Sequence, residues 1–93
     1  MKAVVVERPG VLAIKDVPEP TVGASDILVQ VRTASICNAT DNHILTGTFK
    51  GGHDFYPQIL GHEVHGKVIA CGARVRDVPL GKRVVFYTPR GAF

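Results

Sequence analysis

Pro57-Gln58-Ile59-Leu60-Gly61-His62-Glu63-Val64-His65-Gly66-Lys67-Val68-Ile69-Ala70-Cys71-Gly72-Ala73-Arg74-Val75 is the stretch on which the reading of this chain turns. Within it, Gly61-His62-Glu63 is followed by Gly66, Gly72 and Val75, the spacing G-H-E-x-x-G-x(5)-G-x-x-V. Upstream lies Cys37, followed by Thr40, Asp41 and His43. Thiolate, imidazole and carboxylate are the donor types zinc prefers, so this stretch together with Cys37 reads as part of a zinc site. In an extended strand, adjacent side chains point to opposite faces. His62 and Glu63 therefore reach one metal only if the backbone bends between them, and Gly61 makes a bend feasible. Gly66 and Gly72 read as places of close strand approach or a bulge.

Working outward, the chain reads as a series of short strands. Ala3-Val4-Val5-Val6 is a β-branched run closed by Arg8-Pro9-Gly10, and Leu12 to Val17 pairs back on it as a hairpin. Pro18-Glu19-Pro20 is an extended connection. Asp26 to Ser35 is the clearest strand, with Ile27, Val29, Val31 and Thr33 expected on one face and Leu28, Gln30, Arg32 and Ala34 on the other. Asn38 as N-cap and Gly47 as C′ residue predict a short helix over 39–46. Residues 47–57 hold three glycines and one proline without periodicity, which reads as a surface loop suited to recognition. Val64–Ala70 and Arg83–Tyr87 supply two further strands across a turn at Asp77–Gly81. The expected fold is mainly β, a small barrel or sandwich with one short helix.

Composition narrows the class. Ninety-three residues, 45% of them apolar and 20% charged, suit one small globular domain and exclude wholesale disorder. No apolar run approaches the ~20 residues that span a membrane. The Met1–Glu7 start lacks the features of a signal peptide, which makes a cytoplasmic setting the expectation. Two cysteines do not make a disulfide framework, and in that compartment both thiols are expected free. The net charge is +3, and Lys67, Arg74, Arg76, Lys82, Arg83 and Arg90 crowd the last third against Asp77 alone. No aromatic residues interleave with them, so they read as a solvated face and no nucleic-acid partner is expected.

The composite Cys37 … Thr40-Asp41-Asn42-His43 … Pro57-x-x-Leu60-Gly61-His62-Glu63-x-x-Gly66-x(5)-Gly72-x-x-Val75 … Gly81-Lys82-Arg83-Val84 resembles the medium-chain, zinc-type alcohol dehydrogenases. The resemblance covers the first part of their N-terminal, GroES-like catalytic domain and runs to about Pro89. It implies a partly open β-barrel. It also implies Cys37 and His62 as zinc ligands, with Glu63 a carboxylate behind the metal or an occasional ligand. A third ligand would come from beyond Phe93. Thr40 and His43 resemble the family's relay, which carries a released proton to solvent. Here the Thr-Asp pair begins three residues after the cysteine rather than two, so the turn at Asn38-Ala39 must absorb a residue.

The implied chemistry is oxidation of an alcohol or polyol, or the reverse reduction of an aldehyde or ketone, with NAD(H) or NADP(H). Zn²⁺ makes an oxygen acid lose its proton near neutrality, as it does for water with a fall in pKa from 15.7 to roughly 7. No G-x-G-x-x-G turn occurs in residues 1–93, so the cofactor would be held by a Rossmann domain outside this chain. The 93 residues alone are expected to be inactive, and the full-length protein a homo-oligomer. Two rival readings are a zinc-free quinone- or enoyl-reductase-like member of the superfamily and a non-enzymatic GroES-like interaction module. Four other residues read as bland. Asp41 is a local cap or turn-stabilising carboxylate, His65 a structural or surface histidine, His53 a solvated loop histidine within reach of substrate, and Cys71 a packing residue.

Overall fold

The computed structural model describes residues 1–50 and 55–87. It contains β1 (Lys2–Arg8), β2 (Val11–Asp16), β3 (Ile27–Ser35), α1 (Thr40–Thr46), β4 (Gln58–Ile59), β5 (Glu63–Cys71) and β6 (Arg83–Tyr87). The strands form two antiparallel three-stranded sheets, ordered β2-β1-β4 and β3-β5-β6. The fold is mainly β with one short helix, as the sequence predicts.

Pro9-Gly10 makes the β1–β2 turn because proline presets φ at the second turn position and Gly10 takes a φ of 78° at the third. Opposite charges then pair across the hairpin, Lys2 with Asp16 directly opposite and Lys15 with Glu7 by reaching along it. Lys2 Nζ lies 3.3 Å from the Asp16 carboxylate, and Glu7 pairs with Lys15. The hydrogen bond and charge of Lys15 hold the Glu7 carboxyl below its ordinary pKa.

β5 is the centre of its sheet and shows why Val, Gly and Val alternate there. Val64, Gly66 and Val68 are buried on one face, while Glu63, Lys67 and Ile69 are exposed on the other. Gly66 is required because a Cβ there would stand 2.4 Å from Val29 Cγ1 and 2.6 Å from the Gln30 carbonyl oxygen. Gly72 is held as tightly, 2.1 Å from the Gly23 carbonyl oxygen by the same measure. Both glycines serve close approach, as expected.

Three local expectations need correction. The strict alternation along β3 fails because its pairing with β5 shifts between Leu28 and Val29 and again between Val31 and Thr33. Ile69 of β5 and Arg32 of β3 are the residues left out of register, so the alternation of β3 itself is interrupted once, at Arg32. The helix is capped by Ala39, in αR geometry and with no side-chain cap bond, not by Asn38. Asp41 supplies the polar contact at this end instead. Finally, Gln58–Ile59 forms a short strand on β1, and Leu60 N–H donates to the Val4 carbonyl at 2.9 Å.

The core of the first sheet is Val6, Ile44 and Leu60, with Val4, Leu45, Phe49, Phe55 and Tyr56 packed against it. Phe49 and Phe55 stack at 4.9 Å, and Tyr56 Oη donates to the Ile44 carbonyl. The aromatic residues that flank the glycine-rich segment therefore face inward, which limits how much of 47–57 is free for recognition. The expectation for His53 lies outside the described residues, as do those for 88–93.

Candidate metal centre

Cys37 follows the end of β3, Asp41 lies in the first turn of α1, and His62 precedes β5. Three elements distant in sequence therefore meet at one carboxylate. Asp41 is 2% exposed; its Oδ2 accepts the Cys37 backbone N–H at 2.8 Å and its Oδ1 lies 3.1 Å from His62 Nδ1. An ionised carboxylate can only accept, so the His62 proton sits on Nδ1 and the lone pair on Nε2. A histidine held in this way through one nitrogen by a carboxylate presents the other to a metal.

The local sequence explains the placement. Asp41, Ile44 and Leu45 share a helix face by their three- and four-residue spacing, so burial of Ile44 carries Asp41 inward with it. The extra residue after Cys37 is taken up in the turn at 38–39, and Asp41 still reaches the Cys37 N–H. Gly61 takes a φ of 87°, a conformation costly for a residue with a Cβ, and turns the chain from β4 into His62. A substituted Cβ at that position would also press on Ala34 Cβ at 3.2 Å.

Cys37 is a half-buried free thiol. It lines a pocket of about 300 Å³ together with Val4, Leu12, Ile36, Asp41 and Leu60. His62 is 2% exposed and packs edge-on against Tyr87, with ring centroids 5.1 Å apart. Glu63 is exposed at the first position of β5, on the face opposite Val64. The bend at Gly61 falls before the His-Glu pair, and the two side chains stay on different sides.

Among the described residues, no three His, Cys, Asp or Glu side chains converge as a metal cluster. The donor chemistry of Cys37 and His62 nonetheless suits zinc, as a thiol and an imidazole with its free nitrogen fixed by a buried carboxylate.

Thr40, the first helical residue, is half-buried and His43 is exposed. Within the described residues, His43 Nδ1 meets Thr48 Oγ1 at 2.6 Å and not Thr40. His65 is half-buried, with Nδ1 3.5 Å from Thr33 Oγ1, which agrees with a structural role. Cys71 is half-buried and its thiol points to the Val78 carbonyl at 3.4 Å. The residue whose importance the sequence reading understates is Asp41. Its signal in the sequence is an acidic residue on the same helix stripe as Ile44 and Leu45.

Residues 23–92 match the alcohol dehydrogenase GroES-like domain. A zinc-type alcohol dehydrogenase-like protein of Haemophilus influenzae is 36% identical over 88 residues, covering 91% of this chain and 24% of the relative. An alcohol dehydrogenase from Thermus sp. ATN1 superposes with a TM-score of 0.78 at 37% identity, over 91% of this chain and 24% of that one. A quinone oxidoreductase of Pseudomonas syringae gives a TM-score of 0.79 at 28% identity, over 97% of this chain and 28% of that one. The chain spans about a quarter of the length of these relatives. With its two sheets, its short helix and its Gly61-His62-Glu63 turn, the chain belongs to the alcohol dehydrogenase GroES-like domain family.

Proposed function

We propose that this chain is the zinc- and substrate-binding part of an NAD(P)-dependent dehydrogenase acting on a small alcohol or its carbonyl counterpart. The observation that carries the reading is Asp41, buried between the Cys37 N–H and His62 Nδ1. It ties the Cys37 backbone and the His62 ring together from separate elements and leaves His62 Nε2 free of that bond. Zinc held by Cys37 Sγ and His62 Nε2 would supply Lewis acidity toward a substrate oxygen. Glu63, exposed on the other side of the strand, acts from outside this ligand pair. The Thr40 hydroxyl would accept the proton leaving the substrate as it donates its own onward, and His43, at the surface, would release a proton to solvent at the end of that relay. The nicotinamide cofactor is held elsewhere in the full-length protein, and the same reading carries a homo-oligomer that light scattering would check.

The test is zinc content and dehydrogenase activity of the full-length protein purified without chelators. About one catalytic zinc per chain is expected, with NAD(P)-linked oxidation of alcohols. Cys37→Ser and His62→Gln should each lose that zinc and the activity together. The likeness to a quinone oxidoreductase at a similar TM-score supports the zinc-free rival on fold alone. Zinc far below one per chain, with quinone reduction intact in both variants, would decide for that rival.

A further inference from the structure

The imidazole of His43 is tied into a chain of hydroxyls in which one direction makes every contact a hydrogen bond. Thr46 Oγ1 lies 2.8 Å from the Asn42 carbonyl oxygen, 3.5 Å from the His43 carbonyl oxygen and 3.0 Å from Thr48 Oγ1. Thr48 Oγ1 in turn lies 2.6 Å from His43 Nδ1. A carbonyl only accepts, so the 2.8 Å bond to Asn42 commits the single Thr46 proton to that carbonyl. Thr46 Oγ1 then accepts, and the proton it accepts is that of Thr48. With its proton spent on Thr46, Thr48 Oγ1 can only accept from His43.

We infer that Thr48, directed by Thr46, holds neutral His43 with its proton on Nδ1 and so makes Nε2 its basic nitrogen. Thr48 is a positioning residue in this arrangement. The purpose of the device rests on the proton-relay reading of His43 given above, whereas the tautomer itself is a property of the resting protein.

The backbone builds the device. Gly47, at a φ of 78°, reverses the chain at the end of α1. The N–H groups of Thr48 and Phe49 then both donate to the His43 carbonyl, at 2.9 and 3.1 Å. This folds residue 48 back over residue 43. Gly47 admits no substitute, because a Cβ would stand 2.7 Å from Pro9 Cγ. A proton arriving at Nε2 gives an imidazolium that keeps its Nδ1–H bond to Thr48. Loss of the Nε2 proton to water restores the starting tautomer without any movement of the ring.

The experiment is nitrogen-15 NMR of histidine-labelled full-length protein, read on the neutral form, with the His43 signals assigned by their loss in His43→Gln. Wild type should show a protonated Nδ1 and an unprotonated Nε2. Thr48→Ser should retain that pattern. Thr48→Val, isosteric and without the hydroxyl, should lose it to a mixture. Thr46→Val should shift the population toward Nε2–H, because the Thr48 proton is then free to turn to Nδ1. Neutral His43 protonated on Nε2 in the wild type would overturn the inference, as would a Thr48→Val spectrum unchanged from wild type. If His43→Gln keeps full dehydrogenase activity while the wild-type spectrum is as expected, the relay fails and the tautomer assignment stands.

Discussion

Asp41 has two acceptor oxygens and two donors to satisfy, and that stoichiometry makes it hard to replace. The Cys37 N–H takes one oxygen and His62 Nδ1–H the other, on a carboxylate that is itself 2% exposed. An asparagine in its place would keep one acceptor and bring an NH₂, so one donor would face another donor. Asp41→Asn should weaken zinc affinity by about 10- to 100-fold, the usual effect of removing a partner behind a metal ligand. Competition with a chromophoric chelator would measure it; an unchanged affinity would remove Asp41 from the site. His43 shows the same principle in an exposed setting, where a hydroxyl replaces the carboxylate. In both cases, Nδ1 is tethered and Nε2 is left for chemistry. Cys37 and His62 stand out in the sequence as candidates because a thiol and a Gly-His-Glu turn are informative by type and spacing. Asp41 shows only its place on the helix stripe, since its contact with His62, 21 residues away, forms only once α1 has docked.

At the scale of single elements, the strands are legible because β-branched runs and turn residues speak locally. Pro9-Gly10 and the Asp77–Gly81 turn lie where the sequence places them, with Asp77 and Gly81 both at positive φ. Register is what the sequence does not carry. The shifts at Leu28/Val29 and Val31/Thr33 depend on how β3 meets β5, not on β3 alone. Strand β4 escapes a sequence reading because two residues carry no periodicity. The β1–β2 hairpin offers a test of its own electrostatics. Glu7 is held below its ordinary pKa by Lys15, so the pair's contribution is present above the unfolded carboxylate range. It is lost as pH falls through the lowered folded value. Lys15→Met should move the Glu7 midpoint up toward its ordinary value by carboxyl-carbon NMR titration and flatten that part of the acid-stability profile. A midpoint that does not move would show that Lys15 does not set it.

Taken whole, the molecule places its candidate centre on the seam between the two sheets. Cys37 leaves β3 of one sheet, and His62 lies where the chain passes from β4 of the other sheet into β5. Helix α1 closes the seam. Its Ile44, 2% exposed, packs with Val6 and Leu60, while Asp41 one turn earlier holds the two donors. The core that stabilises the first sheet is thus also the part that sets the carboxylate, so stability and metal affinity should be linked on this side of the molecule. Val68 is as deeply buried, at 1%, but stands six positions along the chain from His62, about 20 Å at strand rise. Ile44→Ala should cost about 2–5 kcal/mol in urea unfolding. It should also weaken zinc binding, because α1 can then tilt and carry Asp41 off His62. Val68→Ala should lower the unfolding midpoint yet leave zinc affinity of the folded protein near wild type. Equal effects of the two variants on zinc would mean that affinity follows global stability, and that the seat of Ile44 has no particular hold on the centre.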